Sequence, residues 1–393
     1  MRKGWEYKML GEVCCPKSKI QRATKCFGAS DEIAYIDISS IDNSVQEVNS
    51  ITSFTMSNAP SRAQQKVEYG DIIVSTVRPN LKNVALIKQH DSNLVASSGF
   101  CVLRTTDDIE RNYLFRYITS DIFTQHLMKL TTGANYPAVR DLDVRDSTIP
   151  LPPKSTQLAI VSELDKINEL IRLKKEQLKD FDNLAQSLFY EMFGDPVENE
   201  KGWEVKKLGD ICTDITDGDH MPPPKSEFGI PFITISDIDK DTRCLNFENT
   251  FYVPEDYYNN LKENRKPQKG DLLYTVTGSY GIPVIVKTDK KFCFQRHIAL
   301  LRPNKEILST IFLCYWVLSD GVKFMADKVA TGIAQKTVGL NSIRKFSCIL
   351  PPLPLQHLFA QRIEQIEREK SEVQKSIQDL ETLLASRMQY WFE

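Results

Sequence analysis

Apolar residues follow two different rhythms along this chain. From Ser155 to Phe193 there is neither Gly nor Pro, and large apolar side chains recur at alternating steps of four and three: Ile160, Leu164, Ile167, Ile171, Leu178, Phe181, Leu188 and Met192, with Lys174 and Ala185 at the two remaining positions. The same spacing returns in Phe359, Ile363, Ile366, Val373, Ile377, Leu380, Leu384 and Trp391, with Lys370 and Arg387 completing it. A mean step of 3.5 residues keeps one seam of an α-helix turned toward a partner helix. Lysine interrupts both seams at the same place, which costs stability but fixes register. The flanking faces, such as "LKKEQLKD" and "EREKSEVQ", are charged nearly all round, so each stripe is read as a pairing seam and not as a face docked on its own domain.

The second rhythm is shorter. Runs such as "EIAYIDISSI", "GDIIVSTV" and "NVALIK" predict strands bounded by turn residues, while "RNYLFRYITSDIFTQHLMKL" (111–130) predicts one helix, matched by 310–329. Proline-rich stops, "IPLPP" and "LPPLP", separate these regions from the long helices. The whole order occurs twice. Trp5 matches Trp203, Leu10-Gly11 matches Leu208-Gly209, Cys14 matches Cys212, "YGDIIVSTV" matches "KGDLLYTVT", and "TTGANYPAV" answers "ATGIAQKTV". The predicted fold is α+β: sheet-rich domains at 1–150 and 198–350, each followed by a long helix (154–194 and 354–393). The helices are expected to pair as an antiparallel coiled coil, since the chain travels out along one and back along the other. At about 1.5 Å per residue, such a helix spans about 58 Å.

Composition changes this picture little. The hydrophobic fraction is 41% and the formal net charge is −2. Residues 1–150 carry 18 Lys+Arg against 17 Asp+Glu, and 194–354 carry 21 against 21, so any affinity for nucleic acid needs a local patch or a basic partner. The longest apolar run, Ile311 to Leu318, is too short to span a bilayer, and "MRKGWEYKML" lacks an apolar signal core. Nine scattered cysteines without a CxxC pair suggest reduced thiols and a cytoplasmic setting.

Catalytic signatures are missing. The sequence has no GxxxxGK[ST] loop, no GxGxxG fingerprint, no Asn/Asp-Pro-Pro-aromatic tetrapeptide, no HExxH and no GxSxG. Its five histidines, His90, His126, His220, His297 and His357, form no zinc spacing. Glu6 with Lys8, and Glu204 with Lys206, lack an acidic partner for a nuclease site and are read as surface charges beside Trp5 and Trp203.

The paired openings "GWEYKMLGEVC" and "GWEVKKLGDIC", the segments "GDIIVSTVRPN" and "GDLLYTVTGSYG", the entry "PLPPKSTQLAIVSELDKINELI" and the ending "SLFYEMFGDP" resemble the DNA-specificity subunit of type I restriction–modification systems over essentially all 393 residues. The resemblance implies two target-recognition domains, each reading half of a split, asymmetric site in double-stranded DNA, with the helices setting the unread spacer. It also implies a chain without catalysis or cofactor of its own. Two adenine-methyltransferase subunits and ATP-dependent restriction subunits would bring S-adenosylmethionine, ATP and Mg.

Candidate DNA contacts are polar and basic side chains on Gly/Pro-punctuated loops, which reach base edges or phosphates. In the first domain these are Thr76, Arg78, Asn80 and Lys82, then Asn135, Tyr136 and Arg140; Arg78, preceding Pro79, is expected to be extended. In the second they are His220 and Lys225, Thr277, Ser279 and Tyr280, Gln295 and Arg296, and Gln335 and Lys336, with His297 equally readable as a half-buried framework residue. Trp5 and Trp203, common to both halves, are expected to be framework. Two other readings compete: a coiled-coil adaptor whose sheet modules bind peptides, and a self-contained nuclease or methyltransferase. Missing motifs argue against the second. Divergence confined to loop tips argues against the first.

Overall fold

Two repeated dipeptides, Gly70-Asp71 and Gly270-Asp271, mark the same turn in two separately packed halves of the chain. The computed structural model describes residues 4–133, 136–218, 220, 223–332 and 335–393. One compact unit comprises Met1–Lys174 with Ser376–Glu393, and the other Lys175–Lys375.

The first unit contains strands β1 (Glu6–Met9), β2 (Glu32–Ile36), β3 (Thr52–Thr55), β4 (Ala63–Lys66), β5 (Ile72–Ser75), β6 (Val84–Leu86), β7 (Leu94–Ser97), β8 (Phe100–Leu103) and β9 (Thr148–Leu151). Helices α1 (Arg111–Ile118), α2 (Asp121–Leu130) and α3 (Asp141–Arg145) follow β8, and α4 (Lys154–Phe193) leaves from β9. Strands β8-β5-β6 form one sheet and β3-β2-β7-β4 another, with β2 and β7 parallel; β1 pairs antiparallel with β9, Glu6 opposite Leu151.

The second unit repeats the plan with β10 (Glu204–Lys207), β11 (Cys212–Asp217), β12 (Ile230–Ile233), β13 (Phe251–Val253), β14 (Leu272–Thr275), β15 (Pro283–Ile285), β16 (Cys293–Phe294), β17 (Ile298–Pro303) and β18 (Ser347–Leu350). Helices α5 (Thr310–Leu318), α6 (Asp320–Val329), α7 (Leu340–Arg344) and α8 (Leu353–Phe392) complete it. Here β10 pairs with β18, and β11-β17-β14-β15 and β13-β12-β16 form the two main sheets. The secondary structure is α+β in both halves.

The repeated motifs prove to be joints. Asp71 is 1% exposed, accepts from the Glu68 amide at 2.9 Å, and receives Arg104 bidentately at 2.7 and 2.8 Å. Asp271 does the same with the Gln268 amide at 2.8 Å and Arg302 at 2.9 and 2.8 Å. Gly70 and Gly270 sit at φ +91° and +95°, a left-handed turn that a side chain strains. Gln157 and Gln356 explain the residues after each proline stop. Both are buried; each donates to a proline carbonyl (Pro152 or Pro351) and accepts the amide that starts α1 or precedes α5 (Glu110 at 2.7 Å, Ser309 at 2.8 Å).

Two expectations about helices need correction or extension. The single helix expected over 111–130 is two, α1 and α2, because the Ser120 hydroxyl accepts the Phe123 amide at 3.2 Å and caps a new helix. The same break falls at Ser319, between α5 and α6. The long helices end in apolar plugs. Phe392 packs against Tyr113 and Tyr117 in the first unit, with ring centroids at 5.4 and 5.5 Å, while Phe193 packs against Phe312 and Phe359 in the second, at 4.9 and 5.3 Å.

Along α4 the expected seam residues Ile160, Leu164, Ile167 and Ile171 are buried, and Leu178, Phe181 and Leu188 are half-buried. Along α8 Phe359, Ile363, Ile366, Val373 and Ile377 are buried, and Leu380 and Leu384 half-buried. In the second unit Asp182 meets Lys370 while Phe189 meets Phe359, so numbering rises on one helix as it falls on the other. Among the described residues, no helix is long and apolar enough to cross a membrane.

Candidate nucleic-acid interface

In each unit the loop after the central strand of the β5- or β14-containing sheet is stapled to the loop that follows the second short helix. In the first unit, Val77 bridges Ala138, the Arg78 amide donates to the Pro137 carbonyl at 2.7 Å, and the Val139 amide donates to the Thr76 carbonyl at 2.9 Å. In the second, Thr277 bridges Thr337, the Gly278 amide donates to the Lys336 carbonyl at 3.0 Å, and the Val338 amide donates to the Val276 carbonyl at 2.9 Å. Each stapled loop closes on itself through Thr132–Ala138 or Thr331–Thr337. The shared Thr-Gly start follows from this closure. Gly332 lies at φ +110°, and a β-carbon there would sit 2.3 Å from the Gln335 carbonyl oxygen; Gly133, at φ +91°, would meet Tyr136 O at 2.9 Å.

The staple brings together residues that sequence reading had singled out separately. The Arg78 guanidinium lies over the exposed ring of Tyr136, 4.3 Å from its centroid. Arg78 is not extended as expected: it lies at φ +49°, ψ +63°. The clash with the following proline disfavours the right-handed helical region. The hydrogen bond to Pro137 and the aromatic ring then hold the left-handed alternative, at a strain of about 1 kcal/mol. Asn80 is exposed beside it. Lys82 pairs with Asp121 at 2.6 Å, and Arg140 pairs with Asp143 at 2.6 Å while capping α3. The Thr76 hydroxyl donates to the Gly99 carbonyl at 2.9 Å, which makes it framework. Asn135 lies outside the described residues.

In the second unit Gln335 and Lys336 are exposed at the loop tip. Thr277 is buried with its hydroxyl 3.2 Å from that of Thr337, so it holds the loop instead of facing solvent. Tyr280 donates to Asp327 at 2.5 Å, and that bond, with burial, raises its phenol pKa. Ser279 is exposed and receives Lys240 at 3.2 Å. His220 is 2.9 Å from Asp217, and Lys225 stands over the Phe251 ring at 5.1 Å. Gln295 is half-buried, its backbone N–H donating to the Ile233 carbonyl at 3.0 Å, while Arg296 is exposed. His297 is half-buried, and burial followed by the charge of Arg296 lowers its pKa.

Comparison with known proteins places this geometry in a family. The type I restriction modification DNA specificity domain matches twice, over residues 2–180 and 200–382. The chain belongs to that family. The MjaIX specificity subunit of Methanocaldococcus jannaschii is 23% identical over 332 residues, covering 79% of this chain and 74% of the relative. The EcoKI specificity subunit of Escherichia coli is 23% identical over 339 residues, covering 80% and 72%. A solved chain described under complex assembly and conformational transition of the type I R-M system superposes with a TM-score of 0.69 at 27% identity, covering 99% of this chain and 97% of that one.

This specificity-family chain also carries features that motif reading missed. A polar cleft of about 790 Å³ in the first unit is lined by Arg22, Lys25, Gln64 and Thr76, with Asp141 among its lining residues. A run of cations without acids at 16–25 was the available signal. Trp5 stacks on Trp391 at 6.2 Å, and the Trp203 indole donates to the Phe193 carbonyl at 2.8 Å, so both are framework.

Proposed function

We propose that this specificity-family chain reads a split, asymmetric sequence in double-stranded DNA, one half per sheet-rich unit, and carries out no chemistry itself. Adenine methylation with S-adenosylmethionine, and cleavage driven by ATP and Mg, belong in this reading to partner methyltransferase and restriction subunits. The observation that carries it is the duplicated staple: one backbone arrangement presents Arg78 and Tyr136 in one unit, and Gln335 and Lys336 in the other. A constant frame with different polar tips is what reading two unlike half-sites requires, because base edges are distinguished by their donor and acceptor patterns.

The two 40-residue helices are read as an antiparallel coiled coil whose length, about 60 Å, sets the unread spacer. The opposed numbering of the Asp182–Lys370 and Phe189–Phe359 contacts supports that sense of pairing.

The test is to co-express the chain with an adenine methyltransferase subunit of this system and map N6-methyladenine across a genome. Methylation on one motif of two constant words around a fixed gap is expected, and it should vanish when this chain is deleted. Methylation on an unsplit motif, or persisting without the chain, refutes the reading.

A further inference from the structure

The two units treat one equivalent connection in opposite ways. In the second unit the chain between the Leu208–Ile211 turn and β12 contributes β11 to the four-stranded sheet, and two acids on that strand are engaged: Asp217 lies 3.5 Å from Arg265, and Asp214 lies 3.4 Å from Arg302. In the first unit the equivalent stretch, between the Leu10–Val13 turn and β2, adds no such strand. It carries Lys17, Lys19, Arg22 and Lys25 with no acid from residue 13 to residue 30.

This basic stretch forms one wall of the cleft that ends at Thr76. It is fastened in place by backbone bonds: Arg22 bridges Gln65, and the Lys66 amide donates to the Gln21 carbonyl at 2.9 Å. Lys17 is neutralised by Asp141 at 3.4 Å. Arg22 and Lys25 are exposed, and among the described residues neither has an acidic partner. Two unpaired cations on a fixed wall, beside the Gln64 amide and next to the Thr76–Arg78 loop, make an anion track in a domain whose total charge is near zero.

Resting on the DNA-reading proposal above, we infer that Arg22 and Lys25 bind two phosphates of the DNA backbone and anchor the first unit in a sequence-independent way, whereas the second unit, whose equivalent stretch becomes the strand β11 with Lys225 as its one Lys or Arg, set over the Phe251 ring, has no two-cation counterpart of this anchor. Phosphate contacts fix register without carrying sequence information, and each releases counterions, so their loss shows in the salt dependence of binding.

The experiment uses the complex with its methyltransferase subunits and a duplex carrying the motif found by methylation mapping, titrated from low to physiological salt. R22Q/K25Q is expected to lower the slope of log K against log salt by about 2 and to weaken cognate and scrambled duplexes by the same factor. R22K/K25R, which keeps both charges, should retain the parental slope. A parental slope in R22Q/K25Q overturns the inference, as does a loss confined to one half-site word, which would make these residues base readers. If the parental complex itself prefers no split motif, the DNA-reading proposal fails instead.

Discussion

Lys370 donates to Asp182 at 2.8 Å, joining the lysine that interrupts the α8 seam to a carboxylate on α4. Asp182 also receives Arg243 at 3.0 Å, from the turn of a two-stranded hairpin (Ile238–Asp239 with Cys244–Leu245), so one carboxylate ties the helix seam to the sheet-rich part of its unit. Arg243 holds a left-handed backbone, φ +53°, at that turn. In the coiled-coil reading proposed above, a polar seam position of this kind specifies register at some cost in stability.

The Lys370→Leu variant is therefore expected to keep or raise stability by about 1 kcal/mol in urea unfolding, because a leucine fits the seam and Asp182 retains Arg243. Asp182→Ala should cost about 1 kcal/mol, a modest figure because Asp182 is 43% exposed. Spacer length should stay constant in both. Inserting seven residues beside Lys174 should instead lengthen the spacer while leaving both half-site words unchanged; an unaltered gap in the methylation map would show that the helices do not set it.

The Asp71–Arg104 and Asp271–Arg302 pairs predict a larger effect. Each aspartate is almost fully buried, so its removal leaves the Glu68 or Gln268 amide unbonded and takes the bidentate carboxylate from Arg104 or Arg302, which keep only Glu68 at 3.2 Å and Asp214 at 3.4 Å as acidic neighbours. Asp71→Ala or Asp271→Ala should cost about 2–3 kcal/mol each. Denaturant midpoints within the error of the parent would contradict the joint role assigned to these residues.

Stapled-loop geometry predicts opposite signs for two glycine exchanges. Arg78→Gly relieves the left-handed strain and should stabilise by up to about 1 kcal/mol, while weakening recognition of the first half-site. Gly332→Ala forces a β-carbon against the Gln335 carbonyl and should lose about 1–3 kcal/mol locally, degrading only the second word. Thermal unfolding and motif mapping on the same preparations separate the two effects.

Acid sensitivity should reside partly in Glu163. Arg387 hydrogen-bonds both of its carboxylate oxygens, and the Trp391 indole donates to it at 3.1 Å. The Arg387 bonds, outweighing the opposing burial, hold the carboxyl below its ordinary value of 4.5. A depressed folded-state value stabilises above pH 4.5, and the benefit is lost as pH falls from there through the folded value. Glu163→Gln should therefore flatten the stability curve below about pH 4.5 and leave the trend between pH 6 and 8 unchanged, as read by urea midpoints across the range.

Much of this was legible in the residue order. Periodicity alone located both long helices, and of the apolar positions it picked out Ile160, Leu164, Ile167, Ile171, Phe359, Ile363, Ile366, Val373 and Ile377 are buried, because covering one stripe of a helix imposes a regular spacing of apolar residues. The duplication was legible too, since each half must bury the same core.

What only tertiary structure decided were contacts between segments far apart in the chain. The break at Ser120 was hidden because the apolar pattern continues through the cap. The left-handed Arg78 depends on a hydrogen bond to Pro137, which local propensity does not register. The plugging of Phe193 and Phe392 into cores of opposite units, and the free cleft cations Arg22 and Lys25 against the engaged acids Asp214 and Asp217, depend on which loop folds against which strand. Sequence by itself determined the elements and their repetition, which follow from local spacing. The structure determined which charges are neutralised and which are left to meet a ligand, because pairing is a property of three-dimensional proximity.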